Sequence, residues 1–179
     1  MWFMCRRPTS RYLLPALGIM ALILESCGFR PLYQSGGGSD GAALATVEVA
    51  RIKDRSGQQL RNLLTEGLSP QGRSVRTDYR LTVSLTESRV SLAIRKDAIA
   101  TRANLTIKAV FKLAALHNRN LGTFEGSALS TSSYNILISA FATLSAERDA
   151  RNRSLRALAE EIRLRVASAL HNPRYFSAP

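Results

Sequence analysis

The chain has 179 residues, with 25 Lys+Arg against 13 Asp+Glu and a formal net charge of +12. That length builds one ordinary domain or two very small ones, and 45% hydrophobic residues exclude wholesale disorder. The cations are nearly all Arg, whose planar fork suits phosphates and carboxylates, and in the cytosol such a charge would make nucleic acid the first partner to consider.

The first residues redirect that expectation. Residues 1–12 carry Arg6, Arg7 and Arg11 and no acid. Residues 13–24, LLPALGIMALIL, carry no charge. As a helix they would span roughly 18 Å, against about 30 Å of bilayer hydrocarbon. A basic start followed by a short apolar run reads as an export signal, not as a spanning helix. Leu24-Glu25-Ser26-Cys27-Gly28 comes next and resembles a bacterial lipobox, departing from it only at Glu25, where a small or apolar residue is usual. The resemblance implies that residues 1–26 are removed and that Cys27 carries an S-diacylglycerol and an N-acyl chain.

The other cysteine, Cys5, lies inside the signal. The processed chain therefore keeps one cysteine and forms no internal disulfide, so its core must hold it together. Two or more acyl chains anchor a protein stably without a spanning helix. Gly28, rather than an acid, follows Cys27, which favours the periplasmic face of the outer membrane. Loss of residues 1–26 takes away Arg6, Arg7, Arg11 and Glu25 and leaves a net charge of +10. Outside the cytoplasm nucleic acid is not the expected partner. The available polyanions are lipid headgroups, lipopolysaccharide phosphates and acidic protein surfaces.

Residues 27–43 read as a lipid-anchored tether. Pro31 disfavours helix, and Ser35–Gly41 (SGGGSDG) is a flexible low-complexity run. It matches G-x-S-x-G and G-x-G-x-x-G, but it lacks the strand and helix that give those motifs meaning. A domain over residues 44–172 follows, with a tail at 173–179. Ala45–Ile52 reads as a short strand. Ser56 or Gly57 would cap a helix over Gln58–Leu68, where Leu60, Leu63, Leu64 and Leu68 share a face.

Tyr79, Leu81, Val83 and Leu85 alternate with polar residues, the mark of a half-buried strand. Val90, Leu92 and Ile94 continue on the opposite parity. That phase change predicts a bulge or bend at Glu87–Arg89. Arg95-Lys96-Asp97 marks a turn, and Ala103–Leu113 alternates again. His117–Gly122 is a second turn, with a return strand over Thr123–Tyr134. From about Ala142 to Leu170 the apolar residues step by three or four, and Asn172-Pro173 ends that helix. Glu147–Arg151, Asp149–Arg153 and Glu161–Arg165 are acid-first pairs four apart. The expected fold is α+β: a two-layer sandwich with two helices on one face of a four-stranded, mostly antiparallel sheet whose other face is wet.

Catalytic raw material is missing. The two histidines, His117 and His171, fall in a turn and at a helix end, and no nucleophile, base and acid share a recognisable arrangement. A thiolate or imidazole metal site is not expected, and no cofactor is implied. Glu160 and Glu161, adjacent on a helix, diverge and suit Arg partners better than acid–base work. Arg95, Lys96 and Arg102 bracket the first hairpin bend, with Arg89 at the phase break. They can either meet phosphates or simply solvate an exposed turn. Arg151, Arg153, Arg156, Arg163 and Arg165 read mostly as a solvated helix face with intrahelical partners.

Cys27-Gly28-Phe29-Arg30-Pro31-Leu32-Tyr33 after an export signal resembles the start of the lipopolysaccharide-assembly lipoprotein LptE family, especially its alphaproteobacterial branch. Ala100-Thr101-Arg102, Ala109–Leu113, Tyr134-Asn135 and the Arg- and Glu-rich last helix agree with it. The resemblance covers residues 27–171. It implies helices packed on a four-stranded sheet, a place inside the outer-membrane β-barrel LptD, help in assembling that barrel, and lipopolysaccharide binding, with no enzymatic activity. Only Cys27 carries over residue by residue, as the lipidation site. Arg95, Lys96 and Arg102 are lipopolysaccharide candidates on local grounds. The rival expectation is a lipid-anchored cationic module for other envelope polyanions, with no barrel partner.

Overall fold

The computed structural model describes residues 39–70, 72, 74, 76–93, 100–117 and 122–176. In chain order these form α1 (Ser39–Ala45), β1 (Val47–Val49), α2 (Asp54–Leu68), β2 (Tyr79–Ala93), β3 (Ala100–Ala115), β4 (Thr123–Asn135), α3 (Ala140–His171) and a 3-10 turn (Pro173–Tyr175). The sheet order is β1-β2-β3-β4. β1 runs parallel to β2, whereas β2–β3 and β3–β4 are antiparallel. This is the α+β sandwich expected from the patterning.

Alternation sorts the sheet into two faces. Rows such as Leu81–Leu113–Phe124, Val83–Phe111–Gly126 and Leu85–Ala109–Ala128 lie under the helices. Leu60, Leu64 and Leu68 of α2 and Leu155, Leu158, Ile162 and Val166 of α3 bury against them. The opposite face carries Thr82–Lys112–Glu125, Thr86–Lys108–Leu129 and Ser88–Thr106–Thr131. Thr106 and Thr131 hydroxyls meet at 3.0 Å, and the Ser133 hydroxyl donates to Asn104 Oδ1 at 2.7 Å. Gly126 has a steric reason: a Cβ there would come within 2.6 Å of Phe111 Cζ.

Four expectations need correction. No bulge occurs at Glu87–Arg89, because β2 and β3 stay in register until Leu92/Ala93. The parity change is real, but it marks a change of environment along a continuous strand. Glu87 and Arg89 turn charged groups toward α3, while Val90 and Leu92 are exposed on the open face. The first long helix begins at Asp54, not at a Ser56 or Gly57 cap. Asp54 takes φ of 65°, a left-handed turn that Asp tolerates better than most residues. Gly57 instead lets α2 approach the preceding loop, since a Cβ there would sit 2.6 Å from Ile52 Cγ2.

The third correction concerns the linker run, whose Ser39–Gly41 belong to α1. The fourth concerns the helix arginines, taken up under the site below. The residues after 172 also pack: Phe176 lies 6.2 Å from Tyr79 and 6.4 Å from Phe124, centroid to centroid. Elsewhere the expected bounds hold to within a few residues. Ser139 caps α3 by accepting from the Ala142 N–H, and the helix stops at Asn172.

Candidate functional site

β2 and β4 run toward one end of the sheet, the hairpin end, and β3 and α3 run back from it. The opposite end, where β2 starts beside Thr46 and β1, is the base. Fifteen residues of β2 separate the two ends by about 50 Å. Of the cations nominated for phosphate binding, Arg102 lies at the hairpin end. Arg102 is exposed there, on the open face, paired in register with Leu92 on one side and Asn135 on the other. Arg95 and Lys96, like Cys27, lie outside the described residues.

Arg89 does not join that group. It lies on the helix-covered face and its Nη1 is 3.0 Å from Glu147 Oε2. Glu147 also receives Arg151 Nη2 at 2.8 Å, and the Tyr134 hydroxyl donates to it at 3.4 Å. Arg151 Nε reaches Glu87 Oε2 at 3.2 Å. Four charges from β2 and α3 thus form one network across the layers. Burial alone would raise the Glu147 pKa. Hydrogen bonding from Arg151 and the charges of Arg89 and Arg151 outweigh that and hold its carboxyl below the ordinary range. Glu87 and Glu147 are therefore both paired within the chain.

The expected intrahelical partners form for Arg151, Arg163 and Arg165, but Arg153, Arg163 and Arg165 are not simply solvated. Arg153 donates to the Ser133 carbonyl and Arg165 to the Ser127 carbonyl, both on β4. Cations reaching over the backbone of an edge strand blunt it against unwanted pairing. Arg163 is only 7% exposed and makes a two-pronged bond to Glu160, and that bond chiefly lowers the Glu160 pKa. The pairs Glu147–Arg151 and Glu161–Arg165 form as spaced.

A second feature sits at the hairpin end. Leu137, Ile138, Phe141 and Leu144 are all exposed, Phe141 at 76%. Periodicity does not single them out. The signal that could have is the stretch 126–146, which has no charged side chain in a chain otherwise rich in them. An open groove of about 400 Å³ on α2, lined by Arg61, Asn62, Thr65, Glu66, Ser69 and Gly72, holds no histidine or cysteine.

A family model described as "LptE: Lipopolysaccharide-assembly" matches residues 44–166, which span β1 through most of α3. The chain belongs to the LptE family. Solved structures with the same fold include a candidate lipoprotein from Caulobacter crescentus CB15, at TM-score 0.58 and 22% identity, covering 74% of this chain and 96% of that one. Rare lipoprotein B from Shewanella oneidensis gives 0.56 at 13% identity over 72% and 96% of the two chains. Lipoprotein B from Nitrosomonas europaea gives 0.54 at 11% identity over 71% and 84%. At such identities the likeness is one of fold. No curated protein matches the chain. Within the LptE match, the network around Glu147 and the apolar residues of early α3 both lie inside the matched range.

Proposed function

We propose that this chain is an outer-membrane lipoprotein, anchored through acylated Cys27, that sits in an LptD-like barrel, assists its assembly, and meets lipopolysaccharide at the hairpin end through Arg95, Lys96 and Arg102. It acts by binding and positioning, without catalysis. The observation that carries this reading is the LptE family match over residues 44–166.

The physical character of the surface supports it. Barrel lumens are polar and wet, and the open sheet face offers hydroxyls and cations in alternate rows, from Thr82 and Lys112 to Ser88 and Thr131. Ion pairs within the chain engage Glu87 and Glu147, so neither competes for Arg102. The chain enters the domain at the base, through α1 and β1, and Arg102 is at the far end. A tethered protein of this shape holds its cations well away from where the chain enters.

Co-purification is the deciding experiment. The full chain should bring down a large barrel protein that survives detergent. A chain that purifies alone, and whose depletion leaves surface lipopolysaccharide unchanged, would favour the rival module without a barrel. Cys27→Ala should leave an uncleaved precursor outside the outer membrane, and mature-size protein there would reject the anchor. Neutralising Arg95, Lys96 and Arg102 together should weaken lipopolysaccharide binding more than barrel capture.

A further inference from the structure

The exposed apolar residues at the hairpin end form a knuckle with a defined shape. Leu137 and Ile138 leave β4 directly after Asn135, the register partner of Arg102. Phe141 and Leu144 follow on the first turns of α3, three residues apart and so on one side of the helix. The loop between is tied down. The Leu137 N–H donates to Thr143 Oγ1 at 2.9 Å, and the Thr143 hydroxyl donates back to the carbonyl of Leu137 at 3.1 Å or Ser139 at 3.2 Å. The Thr143 N–H closes the turn on Ser139 O at 3.0 Å.

A lone exposed leucine is ordinary, but contiguous apolar groups held in one geometry mark a docking site. Three observations say what docks. The knuckle is bordered by cations: Arg102 beside Asn135 on the open face, and Arg148 one turn beyond Leu144. Of the described acids near the knuckle, Glu87 and Glu147 are engaged by Arg89 and Arg151, and Asp149 lies beside Arg148 in the chain. Leu92 in the same row as Arg102, and Val90 in the next, extend the apolar surface around that cation. Hydrocarbon beside the exposed Arg102 matches an amphiphile with acyl chains and a phosphorylated head. A polar barrel wall would match the cations and leave Ile138 and Phe141 uncovered.

We propose that Leu137, Ile138, Phe141 and Leu144 form a docking surface for the acyl chains of lipopolysaccharide, whose phosphates are held by Arg102. This rests on the lipopolysaccharide reading above and adds a second contact chemistry to it. The head is held electrostatically. The chains are held by removal of apolar surface from water.

The test uses the purified full chain and two labelled probes: intact lipopolysaccharide and its fully deacylated, still phosphorylated saccharide. Ile138→Ser/Phe141→Ser should raise the lipopolysaccharide Kd at least tenfold and leave the saccharide Kd unchanged, with barrel capture intact. Arg102→Gln should weaken both probes. The serine variants alter exposed side chains, so a thermal melt should match the parent. Should the double variant melt early, Ile138→Ser alone serves, with an expected severalfold loss. An unchanged lipopolysaccharide Kd overturns the inference and leaves the phosphate reading standing. Failure of the unaltered chain to bind either probe sinks that reading itself. Lost barrel capture with intact lipid binding makes the knuckle a protein contact and overturns the inference. So does equal competition by phosphatidylglycerol vesicles, which would make bulk membrane the occupant.

Discussion

The base and the hairpin end of this domain are held by different physics. At the base, Tyr79, Phe111, Phe124, Tyr175 and Phe176 meet with centroids 5.9–6.4 Å apart over a layer of buried leucines. At the hairpin end the covered face of β2 turns from Leu81, Val83 and Leu85 to Glu87 and Arg89, and ion pairs to α3 replace apolar packing. The end with fewer buried apolar groups is also the end that exposes cations and the apolar knuckle. A domain that must offer a surface to a ligand keeps its stability elsewhere.

That contrast can be broken by substitution. Phe111→Ala removes a ring packed against Phe124 under Gly126 and should cost about 3–5 kcal/mol in urea unfolding. A loss below about 1 kcal/mol would mean the base is not the stabilising half. Glu147→Gln should cost less, about 1 kcal/mol at neutral pH, because the network is partly solvated and screened. Its pH dependence sharpens the point. The Glu147 carboxyl is held below its ordinary range in the fold. Its contribution is therefore present above the unfolded pKa of about 4.3 and is lost as pH falls through the lower folded value. The gap between Glu147→Gln and the parent should close on acidification, and a gap independent of pH would rule out an electrostatic clamp.

The smallest effect belongs to the open face. Lys112 and Glu125 pair across strands at 2.8 Å with both side chains more than half exposed. Lys112→Ala should change stability by no more than about 0.5 kcal/mol. A larger loss would show that the wet face contributes structure as well as solubility.

Much of this is legible in the sequence. Alternation over Tyr79–Leu85 and Ala103–Leu113 located two strands and their buried faces, and the heptad-like steps from Leu155 to Val166 located the covering helix. The cysteine count and the run before Cys27 concern the covalent chain and needed no fold. The knuckle is not legible in the periodicity of the sequence, because Leu137, Ile138, Phe141 and Leu144 look like an ordinary strand exit and helix start. Their exposure distinguishes them, and in the sequence only the uncharged stretch 126–146 points to it. By sequence Arg89 falls near the hairpin cations, whereas its side chain belongs to the other face of the sheet.

Composition, period-two and helical patterning determined the two-layer α+β class, the element order and the single wet face, because burying alternate residues is a local property of each strand and helix. Which charges cancel and which stay available was decided by tertiary structure alone. Glu147 meets Arg89 58 residues away, and Arg102 lies beside Asn135 only through strand register. Long-range pairing sets electrostatic neighbours, and no spacing along the chain encodes it.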